Sequence, residues 1–298
     1  MRITVILTTY NSGEELDRTL RSILDQDGAG ELFDLEVIAV DDCSSDGTWE
    51  RLLTYPITAF QTEKNTGGPN HGRNLGLSMM TGQWFNIADH DDVWEKNRVT
   101  SLLPHLDKAP IITSGFTIHY TQEDKSSFRG TGQTMLYERD ETFRKKLARI
   151  RSGQNTYLGA IFCRANLKSI LFETEFGRID YDWVLRIFNG RASFEVSESL
   201  YRRMVDGRNL SMDASYRSND FNFSLKVLKG FEKEYPKEAK TGRLNLYSSR
   251  GKYHYVMGEK SKARYYFLRG SKSLKNLFYF LTTFYGSKWV VKRFTIFG

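Results

Sequence analysis

Three carboxylates crowd into four positions of this sequence: Asp89, Asp91 and Asp92, with His90 inside the group. They end an apolar run of strand length, Trp84 to Ala88. Side chains alternate faces along an extended chain, so Asp89 and Asp91 project together just past the strand's carboxyl end and His90 points the other way. Carboxylates held that close repel one another unless a cation neutralises them, and hard divalent ions such as Mg²⁺ or Mn²⁺ take oxygen ligands. A bound divalent metal is one reading. The other is a solvated acidic turn in which Asp92 caps the following helix.

Two further polar loops follow apolar strands. Ile3 to Leu7 breaks at Thr8-Thr9-Tyr10-Asn11, and Ser12 with Glu15 has capping-box spacing ahead of a helix carrying Leu16, Leu20, Ile23 and Leu24. Leu35 to Val40 runs into Asp41-Asp42-Cys43-Ser44-Ser45-Asp46-Gly47, with a helix from about Thr48. Ile57 to Gln61 is a third strand, and Asn65-Thr66-Gly67-Gly68-Pro69 leads into a helix with Arg73. Strands alternating with helices imply right-handed crossovers and a mostly parallel sheet covered on both faces. Such sheets bind ligands outside the carboxyl ends of their strands, which sets the three polar loops along one rim.

Farther on, Ile111 to Tyr120 is expected as a strand, Thr121 to Gln133 as a polar mobile loop, Thr142 to Ile150 as a helix and Gly159 to Cys163 as a short buried strand. Arg178 to Arg186 opens a helix with Asp180 and Asp182 in its first turn, where the helix dipole favours negative charge. Ser193 to Val205 is strand-like, and from about Asn219 the pattern is wholly helical. The expected organisation is an α/β domain over residues 1–215 and a helical region over 216–298.

Taken together, Val5-Ile6-Leu7-Thr8-Thr9-Tyr10-Asn11, Val40 to Thr48, Asn65 with Gly72-Arg73-Asn74-Leu75-Gly76, Asp89-His90-Asp91-Asp92 and Asp180-Tyr181-Asp182 resemble a family 2 glycosyltransferase. The resemblance covers roughly Ile3 to Ser211 and implies the GT-A fold, a Rossmann-like, mostly parallel sheet flanked by helices. It implies an inverting hexosyl- or N-acetylhexosaminyl-transferase that uses a nucleotide-sugar, in the first place a UDP-sugar. By it, Thr8, Tyr10 and Asp41 hold the base, while Asn11, Asp42, Asn65, Arg73 and Asp89 complete the nucleotide site. Asp91, then Asp92, ligate Mn²⁺ or Mg²⁺ bridging the diphosphate, and Asp180 is the catalytic base. Two departures stand out: Ile179 replaces the Glu that often precedes the base, and Tyr201 to Asp206 lacks the family's His, with Asp206 the nearest substitute. Trp94, Trp183 and Tyr181 stack on a sugar or belong to the core.

Composition narrows the partners. Of 43 Lys and Arg, nine lie from Lys260 onward with no Asp or Glu, leaving 34 against 36 acidic residues before them; the net charge of +7 belongs to the tail. With Trp289, Phe294, Ile296 and Phe297, that tail suits an anionic membrane surface or packs on the body of the protein. No nucleic-acid recognition motif accompanies the charge. Cys43 and Cys163 lack metal-ligand spacing and are expected as free thiols. No signal-peptide pattern or span-length apolar run occurs, so the expected location is the cytoplasm, peripheral on the membrane's inner face. The expected acceptor is a glycan or lipid-linked hydroxyl in surface polysaccharide synthesis. A catalytically silent binder of the same fold and a sugar nucleotidyltransferase are the competing readings; a Gly-rich activation loop is absent from the first turn, and no G-x-G-x-x-G supports a dehydrogenase.

Overall fold

A computed structural model of the chain describes residues 1–205, 214–285 and 290. The chain divides into two compact units, Met1–Phe143 with Ser152–Tyr216, and Arg144–Arg151 with Arg217–Gly298.

The first unit is built on a ten-stranded sheet. Its strands are β1 (Arg2–Thr9), β2 (Asp34–Asp41), β3 (Thr58–Gln61), β4 (Trp84–Asp89), β5 (Val93–Trp94), β6 (Ile111–Tyr120), β7 (Lys125–Arg129), β8 (Met135–Tyr137), β9 (Ile161–Arg164) and β10 (Ser193–Val205). Six of them, β3-β2-β1-β4 and then β6 and β10, run the same way, and β9 enters antiparallel between β4 and β6. Helices α1 (Glu15–Leu24), α2 (Thr48–Leu52), α3 (Pro69–Met79) and α4 (Arg98–Leu102) connect the early strands, and α6 (Tyr181–Phe188) precedes β10. The strands are near-continuous apolar runs because helices cover both faces; Val5, Leu7, Ala39 and Ala88 join Leu16 and Leu20 of α1 in one core.

Close contact between α3 and β1 depends on two small residues. A Cβ at Gly76 would lie 2.4 Å from Cγ2 of Ile6, and one at Gly72 would lie 3.0 Å from Cγ2 of Thr8. The Gly72-x-x-x-Gly76 spacing thus lets α3 lie against β1 and carries Arg73 to the sheet's carboxyl end.

Three expectations change. Thr121 to Gln133 contains β7, whose polar composition suits an edge strand paired only to β6. Ser12 does not cap α1: its N–H donates to Thr48 Oγ1, because the loop is drawn toward its neighbour rather than folded onto the helix. Asp92 does not cap a helix either, since α4 starts at Arg98 with Asn97 at its N-cap.

The second unit contains the end of α5 (Glu141–Leu147), then α7 (Ala214–Gly230), α8 (Pro236–Val256), α9 (Lys260–Arg269) and α10 (Leu274–Tyr285). Tyr255, Ala263, Phe267, Tyr279 and Val290 form its small core. Among the described residues no helix is long and apolar enough to cross a membrane. Asp206 and the last part of the basic tail, 286–289 and 291–298 with Lys288, Lys292 and Arg293, lie outside the described residues.

Candidate active site

Sheet register aligns the site. Thr9 sits opposite Asp41, Thr8 opposite Asp89, and Asp41 opposite Gln61, so β1, β2, β3 and β4 end level with one another. The loops after β1 and β2 are laced together. Asn11 N–H donates to Ser44 Oγ (2.9 Å), Ser45 N–H to Asn11 Oδ1 (3.0 Å), and Gly13 N–H to Asp46 Oδ2 (3.1 Å). Asn11 holds a left-handed φ of 45°, a conformation that asparagine tolerates.

Asp41 is fully buried and organises this loop pair. Its carboxylate accepts from Thr9 Oγ1, Ser44 N and Oγ, and Gln61 Nε2, which occupies all four acceptor positions of an ionised carboxyl. Asp42, also buried, accepts from Thr62 Oγ1 and the Thr66 N–H, while the Asn65 amide donates to the Asp42 carbonyl at 3.4 Å. Thr8 is buried beside Gly72, whereas Tyr10 is 49% exposed at the rim.

The three carboxylates take three different environments. Asp89 is paired: Arg73 of α3 reaches its Oδ1 at 3.2 Å, and the Tyr157 hydroxyl donates to its Oδ2 at 3.1 Å. Asp91 is partly exposed and has no side-chain partner among the described residues; burial, and Asp89 nearby, raise its carboxyl above the usual range despite His90 and Arg203. Asp92 is only 2% exposed, beside Gly159, and neither of its oxygens accepts a hydrogen bond. Its carboxyl is pushed well up by burial and then by Asp89 and Asp91.

Beneath Asp92 lies a buried cation. Arg98 is fully buried, donates to the Gly159 carbonyl, and lays its guanidinium 3.9 Å from the Trp94 ring centre and 4.7 Å from that of Tyr201. Burial lowers its pKa to about 9, against the opposing pull of Tyr201 and Asp92. Arg203 of β10 covers the Tyr157 ring at 5.0 Å; burial would lower it, but Tyr157 and the three carboxylates hold it well above the usual range. The segment that lacks the family's His thus contributes a cation, Arg203, that acts on the acidic cluster.

Asp180 occupies the N-cap position of α6 without making a cap hydrogen bond, and its carboxylate has no partner among the described residues. Its backbone is anchored from α3: Asn70 Nδ2 donates to the Ile179 carbonyl at 3.1 Å, and the same side chain accepts from Arg73 at 3.0 Å. Ile179 is buried. Asp182 is engaged by Arg186 at 2.7 Å. Trp94 and Trp183 are core residues at 4% and 1% exposure, and Tyr181 is buried too, so none presents a free face to a sugar.

The donor set fits a divalent ion shared with substrate phosphates. Asp91 offers a partly exposed carboxylate with no side-chain hydrogen-bond partner among the described residues, and Mg²⁺-type sites commonly use one or two carboxylates with phosphate oxygens. An all-protein cage is not formed: among the described residues no group of three or more His, Cys, Asp or Glu is placed to hold a metal.

Residue-by-residue reading missed Tyr157, Asn70 and Arg98. Tyr157 lies 68 positions from Asp89, so nothing local marks it. Only Asn70, one helical turn before Arg73, carried a usable signal.

Known proteins bear on this geometry. The profile of "Glycosyl transferase family 2" matches residues 4–171. The chain is 30% identical over 110 residues to the succinoglycan biosynthesis protein ExoO of Rhizobium meliloti, a stretch covering 36% of this chain and 30% of that protein. It is 33% identical over 112 residues to the poly(ribitol-phosphate) beta-N-acetylglucosaminyltransferase TarS of Staphylococcus aureus, covering 36% of this chain and 19% of the relative. The chain thus spans under a third of either relative's length. A crystal structure of S. aureus TarS 1-349 superposes with a TM-score of 0.66 at 16% identity, covering 98% of this chain and 92% of that one. Another, in complex with UDP-GlcNAc, gives 0.63 at 19% identity over 95% and 79%. The fold is the GT-A fold, and with more than half of its length inside the matched profile this chain belongs to glycosyl transferase family 2.

Proposed function

We propose that the chain is an inverting, metal-dependent glycosyltransferase that moves a sugar from a UDP-sugar to a hydroxyl of a glycan or lipid-linked acceptor in surface polysaccharide synthesis. The observation that carries this reading is the shared rim: the Arg73–Asp89 pair, the partly exposed Asp91 and the laced loops of Asn11 and Asp41 stand together at the carboxyl ends of parallel strands. The name of TarS and its complex with UDP-GlcNAc support UDP-GlcNAc as the first donor to try.

In this reading Thr8, Tyr10, Asn11, Asp41, Asp42 and Asn65 form the base and ribose end. Because Asp41 has no acceptor position to spare, direct contact with a base N–H requires one protein donor, such as the rotatable Ser44 hydroxyl, to turn away. Arg73 and Arg203 supply positive charge toward the diphosphate, and Asp89 orients Arg73. Asp91 would hold a Mn²⁺ or Mg²⁺ ion, with Asp92 as the second carboxylate behind it. Such an ion neutralises charge building on the departing diphosphate. Asp180 takes the proton of the acceptor hydroxyl as its oxygen attacks the sugar's C1 from the face opposite the diphosphate. The location that goes with this chemistry is the cytoplasmic side of a membrane, reached through the charges Lys288, Lys292 and Arg293 of the tail.

The test is nucleotide release from a panel of UDP-sugars with Mn²⁺, Mg²⁺ or EDTA. Asp180→Asn is expected to lower kcat by about 10²–10⁴-fold with donor KM nearly unchanged. Asp91→Asn is expected to remove the metal dependence. Turnover indifferent to both substitutions would overturn the assignment.

A further inference from the structure

Helix α10 is built inside out for a helix in water. Asn276, Tyr279 and Thr283 face its own unit and are buried. The opposite side carries Leu274, Leu277, Phe278, Leu281, Phe284 and Tyr285, exposed by 86, 51, 40, 50, 56 and 93%. At 100° per residue these six fall within an arc of about 120°, a continuous apolar stripe. Isolated exposed apolar residues are ordinary, but a stripe running the length of a helix marks something that covers it.

Charge identifies the cover. Lys272 and Lys275 are exposed on this helix and its lead-in, and the Arg264 guanidinium lies 4.6 Å from the Phe284 ring centre. On α9 Leu268 is 56% exposed, four residues from Arg264 and so on the same side. From Lys260 onward the sequence contains no Asp or Glu. An apolar stripe bordered by Lys272, Lys275 and Arg264 complements an anionic lipid surface, where acyl chains take the leucines and phenylalanines and headgroups take the ammonium and guanidinium groups. Twelve residues span about 18 Å, too short to cross a hydrocarbon core of about 30 Å, so the helix lies in the interface plane.

We infer that the exposed face of α10 is a docking surface for an anionic bilayer. The inference rests on the tail reading above, whose cations include Arg264, Lys272 and Lys275, and deepens it by adding the apolar face of α10 as the surface that enters the bilayer. Co-sedimentation of the full chain with phosphatidylcholine vesicles, with and without phosphatidylglycerol, tests it. Binding is expected only to the anionic vesicles and is weakened by salt. Leu277→Ser with Leu281→Ser is expected to weaken it about tenfold or more with thermal unfolding unchanged, since both side chains are half exposed. Lys272→Glu with Lys275→Glu is expected to weaken it as well. Equal binding by the leucine variant, or none by the parent, overturns the inference. Release by charge reversal at Lys288, Lys292 and Arg293 without any effect of the α10 substitutions assigns binding to the tail and also overturns it. So does a concentration-dependent increase in mass that the leucine variant abolishes in the absence of vesicle binding, which assigns the face to a second copy.

Discussion

The carboxylates at 89, 91 and 92 share a side chain yet do three things, because each meets a different neighbour. Asp89 is paired with Arg73, Asp91 makes no direct ion pair though His90 and Arg203 lie near, and Asp92 is buried with Arg98 close by. The last arrangement has a measurable consequence. Arg98 and Asp92 bias each other's charge in a buried setting without forming a direct ion pair, so Arg98→Met, which removes the donor to the Gly159 carbonyl, is expected to cost about 1–3 kcal/mol. Asp92→Asn in the same background should recover part of that loss, with a coupling of about 0.5–3 kcal/mol in urea unfolding. Strict additivity would show that the two groups do not interact. The triplet's crowding was legible in the sequence; the division of labour was not, since it depends on Arg98, Tyr157 and Arg203, which arrive from other elements.

At the scale of elements, α3 is the piece that places chemistry. Its Gly76 lies against Ile6 with no room for a methyl group, so Gly76→Ala is expected to destabilise the fold by about 1–3 kcal/mol and to reduce activity by displacing Arg73. An unchanged urea midpoint would show that helix and strand give way freely. In the helical unit, burial lowers Lys252 to about 8, with Arg151 and Lys275 adding to the effect, and its Nζ lies 5.4 Å from the Tyr279 ring centre. The folded pKa is below the unfolded value of about 10.4, so between the two the unfolded chain binds more protons and stability rises with pH. Below the folded pKa both states carry the charge, and the folded state bears its full cost. Melting temperature should therefore climb from pH ~8 to ~10 in the parent and less so in Lys252→Met. An identical slope in both would remove Lys252 as the cause.

For the molecule as a whole, the parallel sheet makes one rim of residues that are distant in sequence, and a ligand binding only the folded rim must stabilise it. Uridine diphosphate with Mn²⁺ at about a hundred times its Kd is expected to add about 2.7 kcal/mol to unfolding. No shift with any nucleoside diphosphate would sink the rim as a nucleotide site. The helical unit should respond instead to anionic vesicles, through α10.

The strand–helix alternation at the amino-terminal end, the loops of the rim and the switch to helix near the carboxyl end follow from the sequence itself. Apolar runs and Gly and Asp punctuation are local properties that act before any tertiary contact forms, and the one-handedness of crossovers narrows how they can assemble. Ile111 to Tyr120 and Ser193 to Val205 are strands over just those residues for that reason. Tertiary structure alone decided the antiparallel insertion of β9, the pairing of polar β7 as an edge and the roles within the acidic triplet. Each depends on what packs against a segment from far along the chain, as Tyr157 does on Asp89 and Arg98 does beneath Asp92. Burial and charge compensation are properties of the assembled core, and no stretch of sequence carries them by itself.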